Sequence, residues 1–447
     1  MKEKVTKMIQ IITQSMIDLK PYVYVLTIIL TVALTYWIYK KYDLTKYQMM
    51  VFVLLVLFWA SINIIRAYRK VYAISPIDMG GLGLDGIVAA NIVAAYGLVS
   101  IFVRLPVFMV SDYLKSRKII IATALLSIFL TSLTVVFKAD QYTMFASSLA
   151  LGIGASILAL FNVMFAETFT PKQAIVSVSI LSIAPLLAEF LVAPIQSMAT
   201  QDVVKNYQLL WLLSAVLALV AFVFLMRVKD NKQKQRNFTT AKFKEVLSDK
   251  RFLAIAMFGV VVSFIRFASG QANMVAFARS ELVLMSDFLV AYLDVMFTIF
   301  QLIAGVIAGL YLKKKIGVKN TLYIGLASVF AFAITASNLT NPVVLFFVYG
   351  LNGFGYGILY NILLGLAMQP FSFDKREVSM GIYQTFFAVG IFYGDKIYAT
   401  ILQWIPSTFE GTALYQLVFL IVSIITAVLS VLVFAAFRNE NKEFIEA

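Results

Sequence analysis

Long apolar stretches alternate with short polar segments along the whole chain. Thirteen stretches reach the length of about 20 residues that a helix needs to cross the hydrocarbon core of a bilayer. Because lipid cannot satisfy free backbone N–H and C=O groups, continuous apolar runs of this length predict membrane-spanning α-helices. They lie at approximately 21–39, 49–74, 84–111, 118–137, 143–166, 174–197, 207–227, 252–277, 286–312, 320–337, 342–368, 377–399 and 413–437.

The last twelve stretches form two groups of six around a polar segment from Lys229 to Arg251. The stretch at 21–39 stands apart as an additional hydrophobic element. No small-residue cleavage site follows it, so we interpret it either as an uncleaved signal anchor or as an interfacial helix. The sequence therefore predicts an all-α integral membrane protein in five parts: an N-terminal tail with the extra segment (1–47), a six-helix bundle (48–228), a cytoplasmic linker (229–251), a second six-helix bundle (252–437) and a cytoplasmic tail (438–447).

Basic and acidic residues alternate from loop to loop. Basic residues cluster at 40–47, 113–118, 229–251, 313–319 and 374–377. The loops between these carry few cations and the following acids: Asp78, Asp85, Asp140, Asp202, Glu281, Asp287 and Glu410. Since Lys and Arg concentrate on the cytoplasmic side of membrane proteins, the basic loops are expected to be cytoplasmic. The formal net charge of +14 then indicates contact with membrane lipids and not with nucleic acid, and we expect a multi-pass monomer of the cell membrane.

Composition narrows the possible chemistry. The chain is 61% hydrophobic and 13% charged, which excludes a soluble globular domain. It contains no cysteine and no histidine, which excludes disulfides, thiol chemistry and histidine-based metal sites. The sequence carries no recognisable nucleophile motif, metal cluster or cofactor motif. We therefore expect a protein that is not an enzyme and that binds neither a cofactor nor a metal.

The two halves of the chain repeat each other at an offset close to 200 residues. The sequence LFNVMFAETFTP (160–171) matches LYNILLGLAMQP (359–370). A few residues further on, VSVSI (176–180) matches VSMGI (378–382). Matches in the same order at the same offset are typical of two bundles that arose by duplication.

An arginine lies at the same place in each half, Arg66 in SINIIRAYRK and Arg266 in VVVSFIRFASG. A guanidinium in hydrocarbon costs roughly 3 kcal/mol on insertion scales, so it needs a partner or a function. Two such cations near a symmetry axis indicate a carrier for a negatively charged solute, because a planar guanidinium suits bidentate recognition of phosphate or carboxylate. Alternatively, each arginine forms a structural ion pair or extends towards the lipid headgroups.

Polar or small residues follow one face of the helix around each arginine. They recur at three- or four-residue spacing as Trp59, Asn63, Arg66 and Lys70 in the first half and as Gly259, Ser263, Arg266, Gly270 and Asn273 in the second. Such stripes face the interior of a bundle rather than lipid. Asn63, Arg66 and Arg266 are therefore candidate substrate-binding residues.

Acidic residues also lie within the apolar stretches. Glu189 and Asp294 are each in the middle of a predicted helix, where desolvation favours the neutral form, so either residue is a candidate proton carrier. The alternative is that they neutralise an arginine structurally. Lys396 is a further candidate for substrate binding, although its neighbour Asp395 could simply offset its charge.

The segment VSDYLKSRK (110–118), between two predicted helices of the first bundle, resembles the G-x-L-x-D-R-x-G-R-R/K signature of the major facilitator superfamily. The resemblance aligns Asp112 and Arg117, and Lys118 follows them. Phe108 and Lys115 replace the two glycines of the signature. In that family the acid and the basic residues hold neighbouring helices together on the cytoplasmic side. The resemblance implies two six-helix bundles, and the same conformational role for the matching residues here.

A narrower resemblance concerns the arginines. The sequences YRK (68–70) and FIRF (264–267) are similar to patterns in the organophosphate:phosphate antiporters, which bind phosphate with one arginine on the first helix and one on the seventh. The family pattern favours Arg69 as the first of these, whereas the internal repeat favours Arg66. The two lie three residues apart on one helix face, so both are candidates to line the site. The histidine that those carriers place on the fifth helix is absent.

These observations predict a secondary active transporter of a small organic anion, with a phosphate ester or phosphate favoured. Two bundles would rock around Arg66 or Arg69 and Arg266, either as an obligate exchanger or as an anion:proton symporter, with phosphate or protons as the second solute. A proton-coupled exporter of drug-like or lipid substrates, which would use Glu189, Asp294 and the aromatic residues while the arginines are structural, is one alternative. The other is a membrane sensor that keeps the transporter fold and signals through a partner.

Overall fold

The structure is a computed structural model that describes residues 14–15, 18–114, 116–166, 168–169, 180–229, 240–405 and 411–436. The regular structure within these ranges is helical, which confirms the predicted all-α fold class. In chain order the helices are α1 (Lys20–Lys41), α2 (Lys46–Arg66), α3 (Arg69–Ile74), α4 (Gly86–Leu114), α5 (Arg117–Phe137), α6 (Gln141–Ala166), α7 (Ala184–Ala199), α8 (Tyr207–Met226), α9 (Thr240–Ser248), α10 (Lys250–Ala268), α11 (Gln271–Ala278), α12 (Asp287–Ala291), α13 (Leu293–Ile307), α14 (Lys313–Asn338), α15 (Pro342–Met368), α16 (Phe373–Trp404) and α17 (Thr412–Ala436). A 3₁₀ turn (Ile77–Met79) precedes α4 and a π segment (Ala308–Leu312) follows α13.

Short polar residues in the loops cap the apolar helices. Thr45 and Gln48 form a capping box at the start of α2, and the side chain of Asn206 accepts a hydrogen bond of 3.1 Å from Leu209 N at the start of α8. Asp140 caps α6 in the same way, because its Oδ1 accepts a hydrogen bond of 2.9 Å from Thr143 N. This hydrogen bond is the main cause that holds the pKa of Asp140 below its usual value. Such caps satisfy first-turn N–H groups that have no partner inside the helix, so they fix where each apolar run becomes helical.

Eleven spans within the described residues are long and apolar enough to cross a membrane, where α2 with α3, α10 with α11 and α12 with α13 each count as one span. The two other predicted spans correspond to α7 and α16. Helix α7 has 16 residues, and the start of its predicted span, 174–179, lies outside the described residues. Helix α16 has 32 residues but carries charged residues such as Asp395 and Lys396. The chain is therefore a multi-pass membrane protein.

The helices pack as two groups, α2 to α8 and α10 to α17, that meet along three seams. Helix α4 packs along α16, α3 packs against α11, and α7 packs against α12 and α13. Gly97 allows the first of these contacts, because a Cβ atom at this position would lie 2.5 Å from the backbone nitrogen of Phe392. Side chains near these seams are held between the two halves, and the candidate site lies there.

Two elements lie outside the two six-helix groups, and one of them, α1, is the predicted additional N-terminal helix. The predicted linker 229–251 contains a short helix, α9, whose Glu245 lies 2.5 Å from the Lys375 amine on α16. The extra segment 21–39 forms α1, which packs against α7. Tyr24 of α1 donates a hydrogen bond of 2.5 Å to Ser197 of the first half, and the hydroxyl of Thr27 lies 3.2 Å from that of Tyr292 of the second half. Helix α1 therefore contacts both halves at the α7–α12 seam.

Candidate functional site

The helices that carry Arg66 and Arg266 are both interrupted next to the arginine. Helix α2 ends at Arg66 and α3 begins three residues later, while α10 ends two residues after Arg266 and α11 begins at Gln271. Gly270 lies at the second break, and a Cβ atom there would collide with the Arg266 guanidinium. The sequence repeat that pairs the two arginines thus corresponds to a pair of matched helix breaks, one in each half.

Arg66 lies between the two halves. Its Nη2 is 3.7 Å from Glu189 Oε1 on α7, and the two side chains are 11% and 3% exposed. With its oxygen turned towards the guanidinium, the amide of Gln271 from the second half accepts from both terminal nitrogens of Arg66 at 3.2 Å. The Trp59 ring centroid lies 5.9 Å from the Arg66 Cζ. The guanidinium is therefore held by a carboxylate of its own half and an amide of the other.

Arg266 lies among aromatic rings. It is 5% exposed, and its Cζ is 3.5 Å from the ring centroid of Phe297 and 5.7 Å from that of Tyr356. Its Nη1 donates a hydrogen bond of 3.4 Å to the hydroxyl of Tyr349. A cation over an aromatic face is stabilised by the ring quadrupole, and this interaction grows when water is excluded.

Glu189 and Asp294 both lie close to the arginines. Glu189 interacts electrostatically with Arg66, Arg266 and Asp294, and Asp294 also interacts with Arg66. Asp294 is 8% exposed, and its Oδ1 has no hydrogen-bond partner among the described residues. Asn63, which is 2% exposed, lies beside Glu189. The structure thus brings together two guanidinium groups and two carboxylates, contributed by both halves.

Arg69 has a different environment from Arg66. It is 1% exposed, its Nε donates to the Arg66 carbonyl at 3.0 Å, and its Nη1 donates to Ser148 Oγ at 3.1 Å and to the Val93 carbonyl at 3.4 Å. These partners belong to α2, α6 and α4 of the first half. The guanidinium therefore ties three helices of one bundle together.

Lys70 and Asp395 meet through an amide. Lys70 Nζ donates a hydrogen bond of 2.7 Å to Asn273 Oδ1, and Asn273 Nδ2 donates one of 3.1 Å to Asp395 Oδ1. The Lys70 amine also lies 3.5 Å from the ring centroid of Tyr398. Lys396, next in sequence, instead donates a hydrogen bond to Asn91 of the other half. Asp395 is therefore directed towards Lys70, not towards Lys396.

The residues of the predicted conformational motif lie at the other end of α4. Asp112 is part of this helix, but its side chain lies outside the described residues. Arg117 is 6% exposed at the start of α5. Lys118 donates hydrogen bonds of 2.8 and 2.9 Å to the carbonyl oxygens of Met226 and Val228. This lysine therefore joins α5 to the end of α8.

The sequence-based selection did not single out Arg104 or the aromatic side chains around Arg266, which are Phe297, Tyr349 and Tyr356. Arg104 lies on α4 in the apolar run SIFVRLPVF, is 8% exposed and donates to Gln384 on α16. It has no arginine counterpart in the second half, since the match of SIFVRLPVFMVSDYLK (100–115) with TIFQLIAGVIAGLYLK (298–313) aligns it with Leu302. A search for every cation within an apolar run would have found it, because such a residue is rare and needs a partner.

A comparison with known families and structures identifies the fold. Residues 49–395 match the model of the Major Facilitator Superfamily. The nucleoside transporter NupG has a TM-score of 0.68 and 15% identity to this chain, covering 88% of this chain and 99% of that one. A peptide transporter POT in complex with sulfate has a TM-score of 0.71 and 16% identity, covering 88% and 95%. A POT family transporter in complex with 5-aminolevulinic acid has a TM-score of 0.69 and 14% identity, covering 86% and 95%.

At these identities the similar structures show the fold alone. No curated protein sequence matches this chain significantly. The family match covers well over half of the chain, and the seams between α4 and α16 and between α3 and α11 place the two halves around a common site. The family match confirms the broader of the two resemblances seen in the sequence: the chain belongs to the major facilitator superfamily of membrane transporters.

Proposed function

We propose that the protein is a secondary active transporter of a small organic anion, with a phosphate ester or phosphate as the favoured substrate. The observation that carries this proposal is the pair of guanidinium groups at matched helix breaks, Arg66 from one half and Arg266 from the other. A ligand held by one arginine of each half links the two bundles. Its binding is then coupled to the rocking that exposes the site to one side of the membrane and then to the other.

The chemistry of the guanidinium favours an oxyanion substrate. Its planar fork donates two parallel hydrogen bonds to a phosphate or carboxylate, and these bonds are stronger where water is excluded. The resemblance to the organophosphate:phosphate antiporters supports the same class. Of the two candidate arginines in the first half, Arg66 is the better choice, because the hydrogen bonds of Arg69 go to its own bundle. One protein with a similar fold, the peptide transporter POT, has a structure in complex with sulfate, which is a tetrahedral oxyanion like phosphate.

The Arg66–Glu189 pair provides a physical route to proton coupling. At 3.7 Å it is a loose ion pair, and an anion that takes the Arg66 guanidinium would leave Glu189 buried without its partner. An uncompensated carboxylate in a dry site is strongly destabilised, so uptake of a proton by Glu189 follows from binding of the anion. We therefore propose an anion:proton symporter of the cell membrane that acts as a monomer. Asp294 is the second proton-carrying candidate.

A proton-coupled exporter of drug-like or lipid substrates is the second candidate function. The observation that favours it is the group of aromatic faces at Arg266, formed by Phe297, Tyr349 and Tyr356, beside two buried carboxylates. In that case the arginines would neutralise the carboxylates and the rings would bind an apolar cation.

Uptake into proteoliposomes distinguishes these two functions. The purified protein is reconstituted and tested with labelled glycerol 3-phosphate, phosphate and succinate, and with uridine and a dipeptide as uncharged and zwitterionic comparisons. We expect saturable uptake of at least one phosphate compound that unlabelled phosphate inhibits, and none of uridine. Ethidium efflux without uptake of any anion would support the exporter and overturn the proposal.

A further inference from the structure

Within the described part of the chain, Arg104 makes hydrogen bonds through Nη1 alone. Nη1 donates to the Gln384 side-chain oxygen at 2.6 Å and to the Gln384 backbone carbonyl at 3.1 Å. The Nε donor is buried and has no partner among the described residues. By contrast, the Nε of Arg69 donates to the Arg66 carbonyl. The edge of the Arg104 guanidinium formed by Nε and Nη2 is the edge that binds a carboxylate or phosphate with two parallel bonds.

Arg104 also differs from the neighbouring arginines in its charge environment. Arg66 and Arg266 interact with Glu189, and Arg69 interacts with Asp395. Arg104 instead interacts electrostatically with the hydroxyl groups of Tyr96, Tyr356 and Tyr360, and no described carboxylate is among these partners. Burying a guanidinium without a counter-charge costs free energy. A buried arginine in such a place therefore indicates that an anionic ligand supplies the counter-charge.

The surroundings of Arg104 connect it to the proposed substrate site. Gln384 lies on α16, across the seam from α4, and its Nε2 donates a hydrogen bond of 2.8 Å to the Tyr360 hydroxyl. Tyr360 stacks on Tyr356 with ring centroids 5.6 Å apart. Tyr356 in turn interacts with both Arg266 and Arg104. A ligand that contacts Tyr356 is therefore within reach of an arginine from each half.

We propose that Arg104 is a second anion-binding residue of this transporter, with Gln384 as the residue that positions it. The proposal rests on the proposed function and narrows its substrate class to compounds with a doubly charged group, such as a phosphate monoester. The charges near the site support this class. Five cations (Arg66, Arg69, Lys70, Arg104 and Arg266) lie there with three carboxylates (Glu189, Asp294 and Asp395). A phosphate monoester carries close to two negative charges at neutral pH, so it offsets more of this excess than a singly charged anion does.

The test replaces Gln384 by glutamate, which is nearly the same size and gives Arg104 a counter-charge inside the protein. Equilibrium binding of labelled glycerol 3-phosphate to the purified protein is measured for wild type and for Gln384→Glu, Arg104→Gln and Arg104→Lys. Gln369→Glu adds the same charge at an exposed position and serves as the control. We expect Kd to rise at least about tenfold in the first three variants and not in the control, since loss of a charged contact commonly has this effect.

A second measurement separates anion binding from a structural role. Wild type is expected to bind glycerol 3-phosphate at least about tenfold more tightly than singly charged glycerate, and this preference should disappear in Arg104→Gln. The thermal midpoint of ligand-free Gln384→Glu should equal or exceed that of wild type, because the new carboxylate pairs with Arg104.

Three results would overturn the inference, and they are distinguishable. Unchanged Kd in Gln384→Glu, or an unchanged preference in Arg104→Gln, would show that Arg104 is structural. If Arg266→Lys loses binding while the Arg104 variants keep it, the proposed function stands and the role of Arg104 falls. If wild type binds none of the anions, both fall together.

Discussion

The two helix breaks hold the same residue in two different environments. Arg66, in the first half, faces a carboxylate and an amide, Glu189 and Gln271. Arg266, in the second half, lies against the face of Phe297 and bonds only weakly, at 3.4 Å, to Tyr349. The repeat has thus kept the position of the cation, while the packing around it has diverged. We infer that Arg266 provides the stronger anchor for an anion, whereas Arg66 links binding to the protonation of Glu189.

The largest effect is expected at Arg266, because no described carboxylate within ion-pair distance competes for its guanidinium. Arg266→Ala and Arg266→Lys should both lower anion uptake by roughly 100-fold or more, since truncating a buried charged contact costs about 2–5 kcal/mol. Lysine keeps the charge but loses the planar fork. Expression and thermal stability should remain near normal. An uptake rate close to wild type in the lysine variant would show that bidentate recognition is not the role of this residue.

The second-largest effect is expected from a substitution of Gly270, which lies against the Arg266 guanidinium. Gly270→Ala puts a Cβ atom where the guanidinium lies, so the arginine must move. We expect a KM for anion uptake roughly tenfold higher, which corresponds to about 1.4 kcal/mol. Gly365→Ala is the matched control, because no atom lies within 4 Å of a Cβ at that position. Equal uptake by the two variants would mean that the break at α10–α11 does not position the ligand.

Substitutions of Arg66 and Arg69 should affect different properties, anion uptake for Arg66 and thermal stability for Arg69. Arg66→Ala is expected to raise the KM for the anion roughly tenfold, and to lower the thermal midpoint less than Arg69→Ala does, because Glu189 takes up a proton when its partner is removed. Arg69→Ala removes hydrogen bonds that join α2, α4 and α6, so it should lower the thermal midpoint, by an amount that corresponds to roughly 2–3 kcal/mol. Small and equal effects of both substitutions on uptake would refute an arginine-pair site.

The sequence predicted the helices well because apolar length alone decides what spans a bilayer. It missed α9, since Thr240–Ser248 is a short helix inside a polar segment. It also read 49–74 and 252–277 as unbroken helices, because their apolar pattern continues through Ala67–Tyr68 and Ser269–Gly270. The breaks depend on tertiary contacts, such as the hydrogen bond of 3.2 Å that Gln271 N donates to the Tyr349 hydroxyl at the start of α11.

The candidate site was predictable in part. The repeat identified Arg66 and Arg266, which the structure places at matched breaks, but the role of each candidate residue remains a prediction. The pairing of Arg66 with Glu189 joins residues more than 120 positions apart and depends on the packing of α2 against α7. The assignment of Arg69 to its own bundle, and of Asp395 to Lys70 through Asn273, likewise depends on which helices are neighbours.

The central claim is that Glu189 carries the proton that accompanies the anion at Arg66. The direct test compares two modes of anion uptake in proteoliposomes, exchange against internal anion and net uptake driven by a pH gradient. Wild type should show both, and Glu189→Gln should keep exchange within about twofold but lose net uptake, because only the empty return step needs the ionisable carboxylate. Glu281→Gln, at an exposed loop position, should keep both modes, and Asp294→Asn shows whether that residue shares the role. Full pH-driven uptake by Glu189→Gln, or none by wild type, would contradict the account.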